Sequence, residues 1–210
     1  MNPQLLDRLA SESSVSHLRA VSTRMRAWLA AAALAALALA LLWLGPREDI
    51  ASAVGTPMFW TKIAFPVALA ALAWVTLRRS LRPGTRIDAP IKLMVGLLLT
   101  FWLIALVSTA GMTTAERDLA FWGTTWRGCP FYIALIALPM LPPAMRWSRL
   151  FAPLSPRLSG AVAGLACGLV AAAFYALHCS EPGLPFLGTW YLLGAAIPAA
   201  FGAWLGPASR

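Results

Sequence analysis

Apolar residues fall along this chain in six blocks, each close to the length that crosses the hydrocarbon of a bilayer, with short polar or proline-rich stretches between them. The blocks lie at about 27–44, 58–77, 91–110, 130–145, 160–177 and 186–205. Inside hydrocarbon every backbone amide and carbonyl must be paired within its own segment, so each block predicts a helix. The fourth is the shortest and is broken by Pro139, Pro142 and Pro143, whose freed carbonyls need a neighbouring helix or water. The pattern predicts an all-α fold: a polytopic membrane bundle of six transmembrane helices over 27–205, preceded by a segment 1–26 and followed by a tail 206–210.

Segment 1–26 has a different pattern. Leu5 and Leu9 share one helix face, and Leu18, Val21 and Met25 share another, with Asp7, Arg8, Glu12 and Arg19 between them. Ser11, Ser13, Ser14 and Ser16 interrupt the periodicity, which predicts two short helices with a break. So short a segment cannot bury a core alone. It either lies on a membrane surface or docks its leucine face into the groove of a partner.

Composition agrees with the span count. The 210 residues are 60% hydrophobic and 12% charged, with a mean hydropathy of +0.71. Soluble domains carry roughly 25% charged residues. Charge also sets an orientation. The face holding the N-terminal segment, the second-to-third and fourth-to-fifth loops and the C-terminus takes 13 of the 17 basic residues. The opposite face has only Arg47, Lys62, Arg117 and Arg127, against five carboxylates. Lysine and arginine concentrate in cytoplasmic loops, so both termini are expected in the cytoplasm. The sequence pI of about 10.8 is then a consequence of topology. The basic residues are spread over helix ends instead of forming a nucleic-acid patch, and anionic lipid is their natural counterpart. Ala51-Ser52-Ala53 has the look of a signal-peptidase site, but the apolar run before it is longer than a signal core, which favours a retained span.

Few residues remain that could carry chemistry. No block has an ionisable residue near its middle, which argues against a proton relay or an ion-coupled transporter. Walker, HExxH, CxxC and GxSxG motifs are absent from the sequence, so no enzyme signature stands out. The outer stretch 111–129 carries Phe121, Trp122 and Trp126, as expected for rings anchoring at an interface. Gly160, Gly164 and Gly168 form a small-residue ridge on the fifth block, suited to close helix packing within the chain or between copies in a homo-oligomer.

Three cysteines are left. Cys167 sits mid-span, where a thiol behaves as a small apolar group. Cys129 opens the fourth block in Arg127-Gly128-Cys129-Pro130, with Arg127 placed to favour a thiolate. Cys179 follows the fifth block in His178-Cys179-Ser180-Glu181. Chain direction brings both to the outer face. Such a pair can form a disulfide in an oxidising compartment. With His178 and Glu181 it also offers sulfur, nitrogen and oxygen donors to a soft metal ion. Two independent thiols at the bilayer edge are the third alternative.

The chain resembles the NrsF family, negative regulators of sigma F. The likeness rests on Leu5-Leu6-Asp7-Arg8-Leu9-Ala10, the basic run before the first span, the six spans, and the cysteines of Gly128-Cys129-Pro130 and His178-Cys179-Ser180-Glu181. It implies an inner-membrane anti-sigma factor with no catalytic role and no resident cofactor beyond a transient soft metal ion or disulfide. It implies that an extracytoplasmic-function sigma factor is held at the membrane and released under heavy-metal or oxidative stress. Carried onto these residues, it makes Cys129 and Cys179 sensor thiols and gives Leu5, Leu6, Asp7, Arg8, Leu9 and Leu18 a part in sigma binding. The competing expectation is a small transporter or lipid-binding membrane protein without a sigma partner.

Overall fold

Six helices are long and apolar enough to cross a membrane in the computed structural model, which describes residues 13–81, 84–150 and 155–206. They are Thr23–Leu44, Pro57–Ser80, Asp88–Thr109, Cys129–Leu150, Pro156–Tyr175 and Leu184–Leu205, called here the first to sixth spans. Among the described residues there is no strand. The helix of the first span starts at Ser13 and runs unbroken into the apolar block, so Ser14 and Ser16 lie within it and do not divide it. Serine lowers helix propensity only modestly, and a long apolar run downstream outweighs it.

Local chemistry sets the starts of several spans. Thr56 accepts from the Phe59 amide and Ser155 from the Leu158 amide, each followed at once by a proline whose missing N–H is not needed there. The fourth span differs from its sequence expectation. It extends from Cys129 to Leu150, with a tight 3₁₀ turn at Leu138–Met140 between two α-helical stretches. Pro142 and Pro143 occupy the first turn of the second stretch, Leu141–Leu150, and so begin a helix instead of ending one. A short helix between the third and fourth spans, Thr114–Trp122, was also not expected. Its signal is the pair Thr113 and Glu116, which form a reciprocal capping box.

The fifth span is the centre of the bundle and the most buried, packing chiefly against the sixth and second spans, whereas the first and third lie at the periphery. Its glycine ridge faces the sixth span. A Cβ on Gly160 would run into the Gly202 carbonyl, one on Gly164 into the Pro198 carbonyl, and one on Gly168 into the Ala195 backbone. The ridge is therefore packed inside the chain against the sixth span and is not presented at the surface of the bundle. Leu99, Leu103 and Leu106 of the third span point outward, as expected for residues facing lipid.

Candidate functional site

At one end of the bundle the chain makes two π-helical turns, Ala40–Leu44 and Leu187–Tyr191, a form frequent at functional sites. The same end holds the two cysteines. The Cys129 amide donates to the Thr125 carbonyl at 3.0 Å, and Pro130 follows within the first turn of the fourth span. The fifth span unwinds after Tyr175, where the amides of His178 and Cys179 both donate to the Tyr175 carbonyl at 3.0 Å. Cys129 is 0% exposed and Cys179 2%, and both are free thiols. They lie within electrostatic reach of one another, of Lys62 and of Glu181, whereas Cys167 is buried mid-span away from both. Tyr175 and Tyr191 line the same cluster with ring centroids 5.6 Å apart. The Tyr191 hydroxyl is buried beside Cys179 and has no hydrogen-bond partner of good geometry among the described residues.

Segment 177–181 ties together the loops at the thiol end of the bundle. Lys62, 1% exposed, donates from Nζ to the Cys179 carbonyl at 2.9 Å. Arg47 reaches the same oxygen from Nη1 at 3.5 Å, and its backbone amide donates to Leu177 O at 3.0 Å. His178 Nδ1 lies 3.0 Å from the Gly45 carbonyl. A carbonyl only accepts, so that nitrogen carries the proton. These contacts fasten the 177–181 segment to the loop between the first and second spans. Pro66 cannot donate to the carbonyl of Lys62 four residues earlier, so the second span is locally weakened where it holds this lysine.

Glu181 fastens the segment to the turn between the helix Thr114–Trp122 and the fourth span. Its Oε1 accepts from the amide and hydroxyl of Thr124 at 2.8 and 2.6 Å, and from those of Thr125 at 3.1 and 3.1 Å. Burial works to raise the pKa of this carboxyl, but the four donors outweigh it and hold the group below the ordinary carboxylate range. Gly123, at φ +56°, permits the fold-back, since a Cβ there would strike the Glu181 carboxylate. Around this point Trp190 donates from Nε1 to the Phe121 carbonyl at 2.8 Å, and Trp122, Trp126 and Trp190 pack edge to face or tilted.

The structure thus brings Cys129 and Cys179 together but does not assemble the four-donor metal set. Glu181 is engaged with the two threonines, and among the described residues no three His, Cys, Asp or Glu side chains converge for a metal ion. Arg127 is not the cation beside Cys129 either. Its guanidinium lies over the Trp126 ring, 5.2 Å from the centroid, and Lys62 takes the place beside the thiols. Sequence reasoning had set Lys62 among the outer-face charges and missed this role. The signal was available: a lysine several residues inside an apolar block must find a partner. Of the residues expected to bind a partner, Leu5, Leu6, Asp7, Arg8 and Leu9 lie outside the described residues, and Leu18 lies in the first helix.

Chemically, two thiols under a layer of loops are protected while the layer is closed. A buried thiol in apolar surroundings is unreactive, and segment 177–181, which carries Cys179, is part of that cover. Lifting it breaks four contacts to the first-to-second loop and to Lys62, each worth roughly 0.5–3 kcal/mol.

Comparison with known proteins bears on what this arrangement is for. The family model described as negative regulator of sigma F matches residues 9–209. A probable anti-sigma-F factor of Azospira oryzae is 43% identical over 171 residues, covering 81% of this chain and 79% of the relative. An anti-sigma-F factor of Caulobacter vibrioides is 32% identical over 214 residues, covering 96% of this chain and 95% of the relative. No solved structure matches.

Proposed function

The chain belongs to the NrsF family, and on that premise we propose that it is a membrane anti-sigma factor whose hold on its sigma factor depends on the state of Cys129 and Cys179. On this reading the protein sits in the bacterial inner membrane with its basic end and both termini in the cytoplasm. The partner is an extracytoplasmic-function sigma factor, bound through the segment around Leu5, Leu6, Asp7, Arg8, Leu9 and Leu18. The thiols face the periplasm and respond to oxidants or soft metal ions. The role is regulatory, not catalytic.

The observation that supports this most is the double anchoring of the Cys179 carbonyl by Lys62 and Arg47 beside the Cys129 thiol. Oxidising the pair to a disulfide removes two protons and two electrons, taken up by the oxidant, and draws Cys179 toward Cys129. Capture of a soft metal ion by two thiolates likewise expels two protons and imposes linear or bent geometry on the sulfurs. Either event repositions the carbonyl between them. A tenfold change in sigma affinity needs about 1.4 kcal/mol of coupling, the scale of one or two hydrogen bonds. The layer over the thiols has more than that to lose.

Two experiments test the reading. A Cys129→Ser/Cys179→Ser protein is expected to stay in the membrane yet leave sigma-dependent transcription unresponsive to metals and oxidants. Normal induction in that variant sinks the sensor assignment. Sigma factor is expected to co-purify with the intact protein and not with one lacking residues 1–20. Undiminished binding to the shortened protein moves the contact to the basic loops at Arg78–Arg86 and Arg146–Arg157.

A further inference from the structure

A cavity of about 660 Å³ opens between the first and fourth spans toward the basic end. Trp28 and Ala31 form one wall, Pro139 and Pro142 the other, and Arg146 and Arg149 stand along it. The volume falls within the roughly 300–1,000 Å³ typical of small-molecule sites. Its walls are apolar, and its arginines make no ion pair among the described residues. The basic end has a single described carboxylate, Asp88, at the start of the third span. A site with apolar walls and two unneutralised guanidiniums matches an amphiphile with a negative head. We propose that it binds an anionic glycerophospholipid, acyl chain against Trp28 and the prolines, phosphate on Arg146 and Arg149.

Two features sharpen this beyond general solvation by the bilayer. Arginine holds phosphate through paired N–H donors, and basic pockets between spans on the positively charged side suit such headgroups. The first span meets the fourth chiefly at the 3₁₀ turn, Leu138–Met140, and the gap opens beyond that contact toward Arg146 and Arg149. The gap between them is thus part of the architecture of the span. The inference does not depend on the sigma-factor reading, and it places a lipid on the same helix that begins at Cys129.

The test uses the full-length protein in phosphatidylcholine vesicles containing a photoactivatable phosphatidylglycerol, with adducts mapped by mass spectrometry. Adducts are expected at Trp28–Ala32 and Pro139–Arg149, displaced by unlabelled phosphatidylglycerol in preference to phosphatidylcholine. Arg146→Gln/Arg149→Gln should lower that preference about tenfold or more, as two surface-potential charges are lost. Ala31→Phe, which fills one wall and keeps both charges, should reduce the adducts as well. Equal displacement by phosphatidylcholine would reduce the site to ordinary acyl solvation and overturn the proposal. Displacement by inorganic phosphate alone would make it a free-anion site. Adducts that appear only after residues 1–12 are deleted would show that the chain's own N-terminal segment is the occupant.

Discussion

The two ends of the fifth span are held in opposite ways. Along Gly160, Gly164 and Gly168 it meets the sixth span backbone to backbone, with no room for a single added carbon. Beyond Tyr175 it is held by side chains: Lys62, Arg47, His178 and Glu181, each through one or a few hydrogen bonds. Close steric packing has one solution, and any departure from it costs contact over the whole ridge. A polar layer made of separate bonds can be rearranged a few kcal/mol at a time. The contrast assigns the frame to the ridge and the responsive part to the thiol end.

Breaking the frame should have the largest effect. Gly164→Val places a branched side chain against the Pro198 carbonyl, and overpacking of this kind typically costs about 1–3 kcal/mol, more where backbone blocks the relaxation. The expected outcome is loss of the folded protein from detergent extracts, measured by size-exclusion chromatography and thermal unfolding. Wild-type behaviour would mean that the fifth and sixth spans can separate, and the contrast would fail.

Lys62→Ala comes next. It removes the charged donor to the Cys179 carbonyl and leaves Arg47 at 3.5 Å as the remaining side-chain donor. A hydrogen bond from a charged group is worth about 1.5–3 kcal/mol. The readout that separates a local effect from general unfolding is maleimide labelling. Cys179 and Cys129 should label faster in intact vesicles while Cys167 stays protected. Uniform acceleration at all three cysteines would show that Lys62 supports the whole bundle and not the thiol layer.

The Glu181 carboxylate gives the thiol end a pH dependence that the ridge lacks. Its pKa is depressed in the folded protein, so its contribution is fully present above the unfolded carboxylate value, about 4.3. It is lost as pH falls through the lower folded value. Acidification through that window should loosen the hold of Thr124 and Thr125 and raise the labelling of Cys129 and Cys179 relative to a free thiol at the same pH, a ratio that removes the general loss of thiolate. Glu181→Gln is expected to show moderately faster labelling at neutral pH and to flatten the acid response. An acid response of full size in that variant would place the titrating group elsewhere.

Much of this contrast was legible in the sequence, and its gaps have physical causes. Six apolar blocks were enough for the span count, because lipid leaves a chain few alternatives to helix. The meeting of Cys129 with Cys179 followed from chain direction. The partner of the glycine ridge did not, since a small-residue motif records close approach without naming what approaches. The metal set looked plausible because His178 and Glu181 flank Cys179 in sequence. In an irregular turn, neighbours in sequence point apart, and these two are claimed by different loops. Lys62 was hidden by being counted as a topological charge. Its place inside an apolar block signalled a partner, but which one, a carbonyl from a segment more than a hundred residues away, shows only in the fold.

The smallest effect should come from the ion pair at the rim of the thiol end. Arg47 and Asp49 approach to 2.6 Å, and the pairing raises the arginine pKa and lowers that of the aspartate. Yet the Asp49 side chain is 54% exposed, where solvent screens the attraction and the entropy of holding it offsets much of the gain. Asp49→Asn is therefore expected to leave thermal stability and cysteine labelling nearly unchanged, at low salt and at high. Arg47→Ala should do more than its partner's removal, because Arg47 also reaches the Cys179 carbonyl. Equal effects from the two variants would mean that Arg47 acts only through the exposed pair. The carbonyl would then depend on Lys62 alone, and the responsive end would narrow to a single buried amine.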